Sequence, residues 1–341
     1  MSEVLHPSGE NARAYRSTVK AIDFDSGGAT PQITLTDGSL GTGTCLGCYN
    51  TPCMRKDSSE ITLPSPMNSF PGDPSLDVCP TEAISWDSKL QIIKISEDRC
   101  IGCGLCVVRC PYGALYLEDQ ANAHVVSDDP AGFLSRQLPQ GSIHPRPQRR
   151  GSVASASSPA LSRLPESLAL LSDGKGPLLV RNALHEIAIS CQVRRRGDTN
   201  VRMDAVTAFF NHKFGVAELE FSGAVVESPR ALLEDVAIMH SRYGIDLAAI
   251  YPISIVTALP NARSDYYRVI DDIRTILKLD CRTLTLAAIL LLVWNFARVS
   301  TLNGLFTTSS SNVDLTTDLS AWVPDLGSVI APYPGALTVA K

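Results

Sequence analysis

Eight of the ten cysteines in this 341-residue chain fall between positions 45 and 110. No other feature limits the possible folds as strongly. The stretch "CIGCGLCVVRCP", residues 100–111, spaces Cys100, Cys103, Cys106 and Cys110 by two, two and three residues and closes on Pro111. "CLGCYNTPC" adds Cys45, Cys48 and Cys53, and "CPTEAI" adds Cys79 followed by Pro80. The opening "MSEVLHPSGENARAYR" has no apolar leader, which predicts a cytoplasmic chain. In that compartment clustered thiols point to metal rather than to disulfides. Zinc at two all-cysteine sites is the competing expectation, although zinc sites favour paired CxxC knuckles over one unbroken run.

The run at 100–111 is the bacterial ferredoxin pattern, and "CPTEAI" and "CPYGAL" are near-repeats, as in a duplicated half-domain. Residues 40–120 thus resemble a bacterial-type ferredoxin with two [4Fe-4S] clusters. The resemblance implies one cluster on Cys100, Cys103, Cys106 and Cys79, and another on Cys45, Cys48, Cys53 and Cys110. It departs from the family in the 25 residues between Cys53 and Cys79, whose Ser- and Pro-rich composition reads as a loop. Hairpins are predicted over 15–38, with a bend at Ser26-Gly27-Gly28, over 85–96 around Lys89, and over 113–126.

Charge divides the chain. Residues 1–126 carry nine Lys/Arg against fifteen Asp/Glu, whereas 136–202 carry eleven against four. A net charge of −5 excludes a uniformly basic nucleic-acid coat but leaves one segment able to approach a polyanion. Residues 127–180, rich in Pro, Ser and Arg, read as a linker. The apolar run from Leu284 to Ala297 is short for a membrane span and predicts a buried core helix.

From 181 the pattern predicts an α/β domain ending near 300, followed by a tail over 301–341. "LVRNALHEIAISCQVRRRG" reads as a helix with Leu184, Ile187, Ala188 and Cys191 on one face. Two strands follow, turning at Asn211-His212. A helix is then capped by Ser228 with Pro229 at its first position and stopped by Gly244, before a strand over 247–259 and a helix opened by Ser264.

In "VAELEF" alternation sets Val216, Glu218 and Glu220 on one strand face. Asp204 on the preceding strand can lie alongside, and three converging carboxylates suit a hard divalent cation. The bland alternative is surface acids on a solvated strand. This arrangement resembles the restriction-endonuclease-like PD-(D/E)xK superfamily in its E-x-E variant. The resemblance implies Asp204, Glu218 and Glu220 as metal ligands for Mg²⁺ or Mn²⁺, with Glu186 completing the catalytic set. It also implies Arg194, Arg195 and Arg196 on the backbone of DNA.

The expected fold class is therefore α+β: a dicluster ferredoxin-like domain over 1–126, then a restriction-endonuclease-like domain with a central mixed sheet over 181–300. The expected function is an iron–sulfur, metal-dependent DNA endonuclease, a restriction or phage-defence effector. DNA and a redox or defence protein are its expected partners, with no membrane. The alternative is a ferredoxin-type electron carrier whose C-terminal domain binds a redox partner.

Overall fold

A computed structural model describes residues 30–31, 51–87, 92–109, 117–118, 159–169, 171, 174–221, 225–323, 326 and 333–339. The chain forms two compact units, each discontinuous in sequence. One comprises Met1–Lys56 with Asp77–Leu164, the other Asp57–Leu76 with Pro165–Lys341. These bounds differ from the expected 1–126, 127–180, 181–300 and 301–341. Most of the segment between Cys53 and Cys79 belongs to the second unit.

In the first unit β1 (Thr30–Pro31) pairs antiparallel with β4 (Leu117–Glu118), and β2 (Ile84–Asp87) with β3 (Ile92–Ile95). The second pairing is the hairpin expected over 85–96, with Lys89 outside the described residues. The hairpins expected over 15–38 and 113–126 also lie largely outside them. A short helix α1 (Leu105–Arg109) follows the cysteine loop. Helix α2 (Pro159–Ala169) lies within the expected linker, and the boundary between the units falls inside it.

The second unit is built on a five-stranded sheet of order β5 (Ser190–Val193), β6 (Ala205–Ala208), β7 (Phe214–Glu220), β8 (Ile250–Val256) and β9 (Arg282–Thr285). β6 runs antiparallel to both neighbours, and β7, β8 and β9 are mutually parallel. The connections carry α3 (Lys175–Glu186) before β5, α4 (Ser228–Tyr243) between β7 and β8, and α5 (Asp265–Leu277) between β8 and β9. Helix α6 (Leu286–Trp294) follows β9. Alternation decides which helix covers which face. Val206, Ala208 and Val216 pack with Leu232, Val236 and Met239 of α4, while Thr207, Ile253 and Leu284 face Leu184 of α3.

Several local expectations change. The helical reading of 179–197 stops at Glu186, since Ala188 adopts a positive φ of 67° and Cys191 lies in β5. Residues 194–204 form a turn-containing loop, and β5 precedes it. Ser228 is the first residue of α4 rather than its cap, and its hydroxyl meets that of Ser254 at 2.7 Å. Gly244 does end α4 in the left-handed region, and the Ser264 hydroxyl accepts from the Tyr266 amide at 3.3 Å to cap α5. All nine residues of α6 are buried, as the apolar run predicts. No helix among the described residues is long and apolar enough to cross a membrane.

The segments read as loop and tail supply core. Leu63, Met67 and Phe70 join the cluster of Met203, Val206 and Val216. At the far edge of the sheet the Thr283 amide donates to the Phe306 carbonyl at 2.9 Å, and Phe306 stacks on Trp322. Helix α7 (Thr316–Leu319) follows, with Leu319, Val323 and Leu326 buried.

Candidate functional site

The first site is a pocket of about 330 Å³, its open mouth included, lined by Cys79, Cys100, Cys103 and Cys106. Three of these thiols come from one loop. Gly102 and Gly104, at φ 66° and 72°, turn it through the left-handed region that residues with a Cβ avoid. α1 begins at the next residue and carries Cys106 inward. Cys79 arrives from the segment before β2, and Ile84, Ile95, Ile101 and Leu105 complete a largely apolar wall.

Burial pushes the Cys100 thiol up to about 12 and raises Cys103 and Cys106 as well. The neighbouring thiols add to the shift at Cys103 and Cys106, so these groups ionise only when a cation shares the pocket. Donors are in place for the resulting thiolates. The Ala83 amide donates to Cys79 Sγ at 3.2 Å, and backbone N–H groups of Gly102 and Leu105 favour the ionised Cys100 and Cys103. The Arg163 guanidinium also lowers Cys100. Buried sulfur ligands with amide donors to sulfur are the setting in which a protein tunes an iron–sulfur cluster. The sulfurs ring the pocket.

Of the other expected set, Cys53 is buried and its charge is felt at Cys106. Cys45, Cys48 and Cys110 lie outside the described residues.

The second site is a group of acids on the α4 face of the sheet. β6 pairs Ala205 with Ala217 on β7, and that register continued by one residue sets Asp204 opposite Glu218. Glu220 follows on the same face. Glu218 is 9% exposed, whereas Asp204 and Glu220 are half-buried. Burial raises all three carboxyls; at Glu218 the neighbouring acids Asp235, Asp204 and Glu220 add to it.

Asp235 of α4 is the residue that the sequence reading missed. It is fully buried, and neither carboxylate oxygen meets a donor. The Glu218 carboxyl lies against it, but two carboxylates bond only through a shared proton, and Asp204 competes for the same one. Helical spacing carried the signal. Leu232, Val236 and Met239 form the apolar stripe of α4, and Asp235 lies within it.

Asp204, Glu218 and Glu220 are brought together but do not close on one ion. Asp204 is already engaged, with Oδ1 paired to Arg194 at 3.0 Å and Oδ2 accepting from the Leu219 amide at 3.3 Å. Glu186 ends α3, whereas the start of that helix is the end near this region, with Gly174 beside Arg196 and Gly176 against Phe221. A twelve-residue helix rising 1.5 Å per residue puts Glu186 roughly 16 Å away along its axis. Arg194 is therefore an ion-pair partner, while Arg195 and Arg196 are exposed.

Comparison with known proteins separates the two sites. Residues 93–116 match the family described as the 4Fe-4S binding domain. The chain carries an iron–sulfur ferredoxin domain. An uncharacterized ferredoxin of Methanocaldococcus jannaschii is 43% identical over 60 residues, 17% of this chain and 35% of that one. The polyferredoxin-like subunit of an aliphatic sulfonate oxidoreductase from Pyrococcus furiosus is 39% identical over 51 residues, 15% of this chain and 30% of that one. The electron transport protein HydN of Escherichia coli is 50% identical over 42 residues, 12% of this chain and 23% of that one. The chain thus spans about a third or less of these curated relatives. No solved structure matches it.

Proposed function

We propose that the protein is a ferredoxin-type electron-transfer protein that exchanges electrons with a redox partner through a [4Fe-4S] cluster on Cys79, Cys100, Cys103 and Cys106. One observation carries this reading: four thiols from two separate segments line one buried pocket supplied with amide donors. The cluster supplies the one-electron chemistry. The chain binds it, keeps water from it with Ile84, Ile95, Ile101 and Leu105, and sets its electrostatics through amide dipoles and Arg163. The relatives support the reading, since one is named an electron transport protein and another a polyferredoxin-like subunit. A second cluster on Cys45, Cys48, Cys53 and Cys110 extends it into a two-centre wire.

The test is anaerobic purification with iron and sulfide analysis, then reductive titration followed by electron paramagnetic resonance. Reversible one-electron reduction supports the reading. A redox-inert, colourless protein refutes it.

A second reading concerns the acid site and is favoured by Asp235, whose buried oxygens have no donor. It gives the C-terminal unit a Mg²⁺- or Mn²⁺-dependent phosphodiester hydrolysis on DNA, for which Asp204, Glu218, Glu220 and Asp235 would have to draw together around the cation. The order of the mixed sheet, with only its second strand reversed, supports it. Plasmid cleavage under either metal, lost in Glu218→Gln, is the corresponding assay; no cleavage under either removes it.

A further inference from the structure

We propose that the segment Asp57–Leu76 couples occupancy of the cysteine pocket to the order of the β5 edge and of the Arg194–Asp204 pair. This rests on the reading of Cys79 as a cluster ligand. The segment leaves and re-enters the first unit through a narrow neck. Arg55 and Asp77 form an antiparallel bridge, and the Val78 amide donates to the Met54 carbonyl at 2.9 Å. Cys53 and Cys79 flank that neck, so whatever fixes Cys79 in the pocket also fixes where the segment begins and ends.

Between these ends the segment is built into the second unit. Gly72 bridges Arg194 antiparallel. The Asp73 amide donates to the Val193 carbonyl at 2.8 Å, and the Arg195 amide to that of Pro71 at 3.4 Å. The segment thereby serves as a rudimentary sixth strand that covers the exposed edge of β5. Arg181, fully buried, clamps it by donating to the carbonyls of Asp73 at 3.0 Å and Ser75 at 2.7 Å. Gly72 allows the approach, since a Cβ there would lie 1.9 Å from Gln192 Cγ.

Arg194 is the next link. Its amide donates to the Asp204 carbonyl at 2.8 Å, and its guanidinium pairs with the Asp204 carboxylate. A chain segment with pinned ends docks at a smaller entropic cost than one whose ends are free. Ligation of Cys79 therefore favours the docked segment, the covered edge and the ion pair together. Release of Cys79 loosens all three and leaves the sheet interior intact.

The test is hydrogen exchange on the full chain, comparing cluster-loaded protein with the same protein stripped anaerobically by a chelator. The amides of Asp73, Arg194 and Arg195 report the edge, and those of Ile253 and Ser254 in β8 are the reference. Stripping is expected to speed exchange at the reporters by about tenfold and at the reference by less than about twofold. In Gly72→Val the reporters exchange fast even with the cluster loaded, and stripping adds less than about twofold. Equal reporter rates with and without cluster would overturn the coupling while leaving the cluster reading intact. Uniform acceleration at β8 would also overturn it. A preparation that binds no iron would remove the cluster reading and the coupling with it.

Discussion

Arg194 and Asp204 are joined twice, through the Arg194 amide to the Asp204 carbonyl at 2.8 Å and through guanidinium to carboxylate at 3.0 Å. The backbone bond extends the β5–β6 ladder past its last paired residues. The ion pair occupies one oxygen of the acid best placed to face Glu218. Arg194→Met keeps the first link and removes the second. Both side chains are partly exposed, so the expected cost is about 1 kcal/mol or less, measured by urea unfolding. Under the second reading the same variant binds Mn²⁺ more tightly than the parent protein in a calorimetric titration, because the guanidinium no longer competes with the cation for Asp204.

Met67 is fully buried in the cluster formed with Met203, Val206 and Val216, far along the chain from the strands it covers. Met67→Ala should cost about 2–5 kcal/mol in denaturant unfolding. A surface loop would respond by less than about 0.5 kcal/mol.

Gly72→Val forces a side chain into Gln192, whose amide donates to the Ile61 carbonyl at 3.2 Å. Overpacking of this kind costs about 1–3 kcal/mol. The iron content of the folded protein should stay at the parental value, which separates damage to the edge from damage to the pocket.

The acids give a pH dependence of fixed sign. Burial holds the Glu218 and Asp235 carboxyls above their ordinary values of 4.5 and 3.8, with neighbouring acids adding to it: Asp235, Asp204 and Glu220 at Glu218, and Asp204 and Glu234 at Asp235. The folded state therefore binds more protons than the unfolded chain once pH passes those ordinary values. Stability is fully present below them and is lost as pH rises through the folded values. Denaturant midpoints of the metal-free protein should fall from weakly acidic to alkaline pH, and Glu218→Gln should flatten the slope. A midpoint that rises over that window would contradict the paired arrangement.

The cysteine pocket was legible because its geometry is local. Spacing of two between Cys100, Cys103 and Cys106 dictates a tight loop, and only Cys79 must come from elsewhere. The acids on β7 were legible through strand alternation, and Asp204 through hairpin pairing across Asn211-His212. What escaped notice depends on distant contacts. Composition marks 54–78 as loop because Ser and Pro dominate it, yet Leu63, Met67 and Phe70 are spaced to reach a sheet more than a hundred residues later. β5 was hidden inside a helical pattern, because a strand buried on both faces shows no alternation and Ala188 interrupts the helix without a Gly or Pro. Glu186 was misplaced because chain order does not reveal which end of α3 approaches the acids.

The most direct test of the central claim is the iron and acid-labile sulfide content of anaerobically prepared protein, set against Cys100→Ser/Cys106→Ser. At least about four irons and four sulfides per parental chain are expected, with loss of that cluster in the variant. Stoichiometric zinc with no labile sulfide in the parental protein would contradict the account.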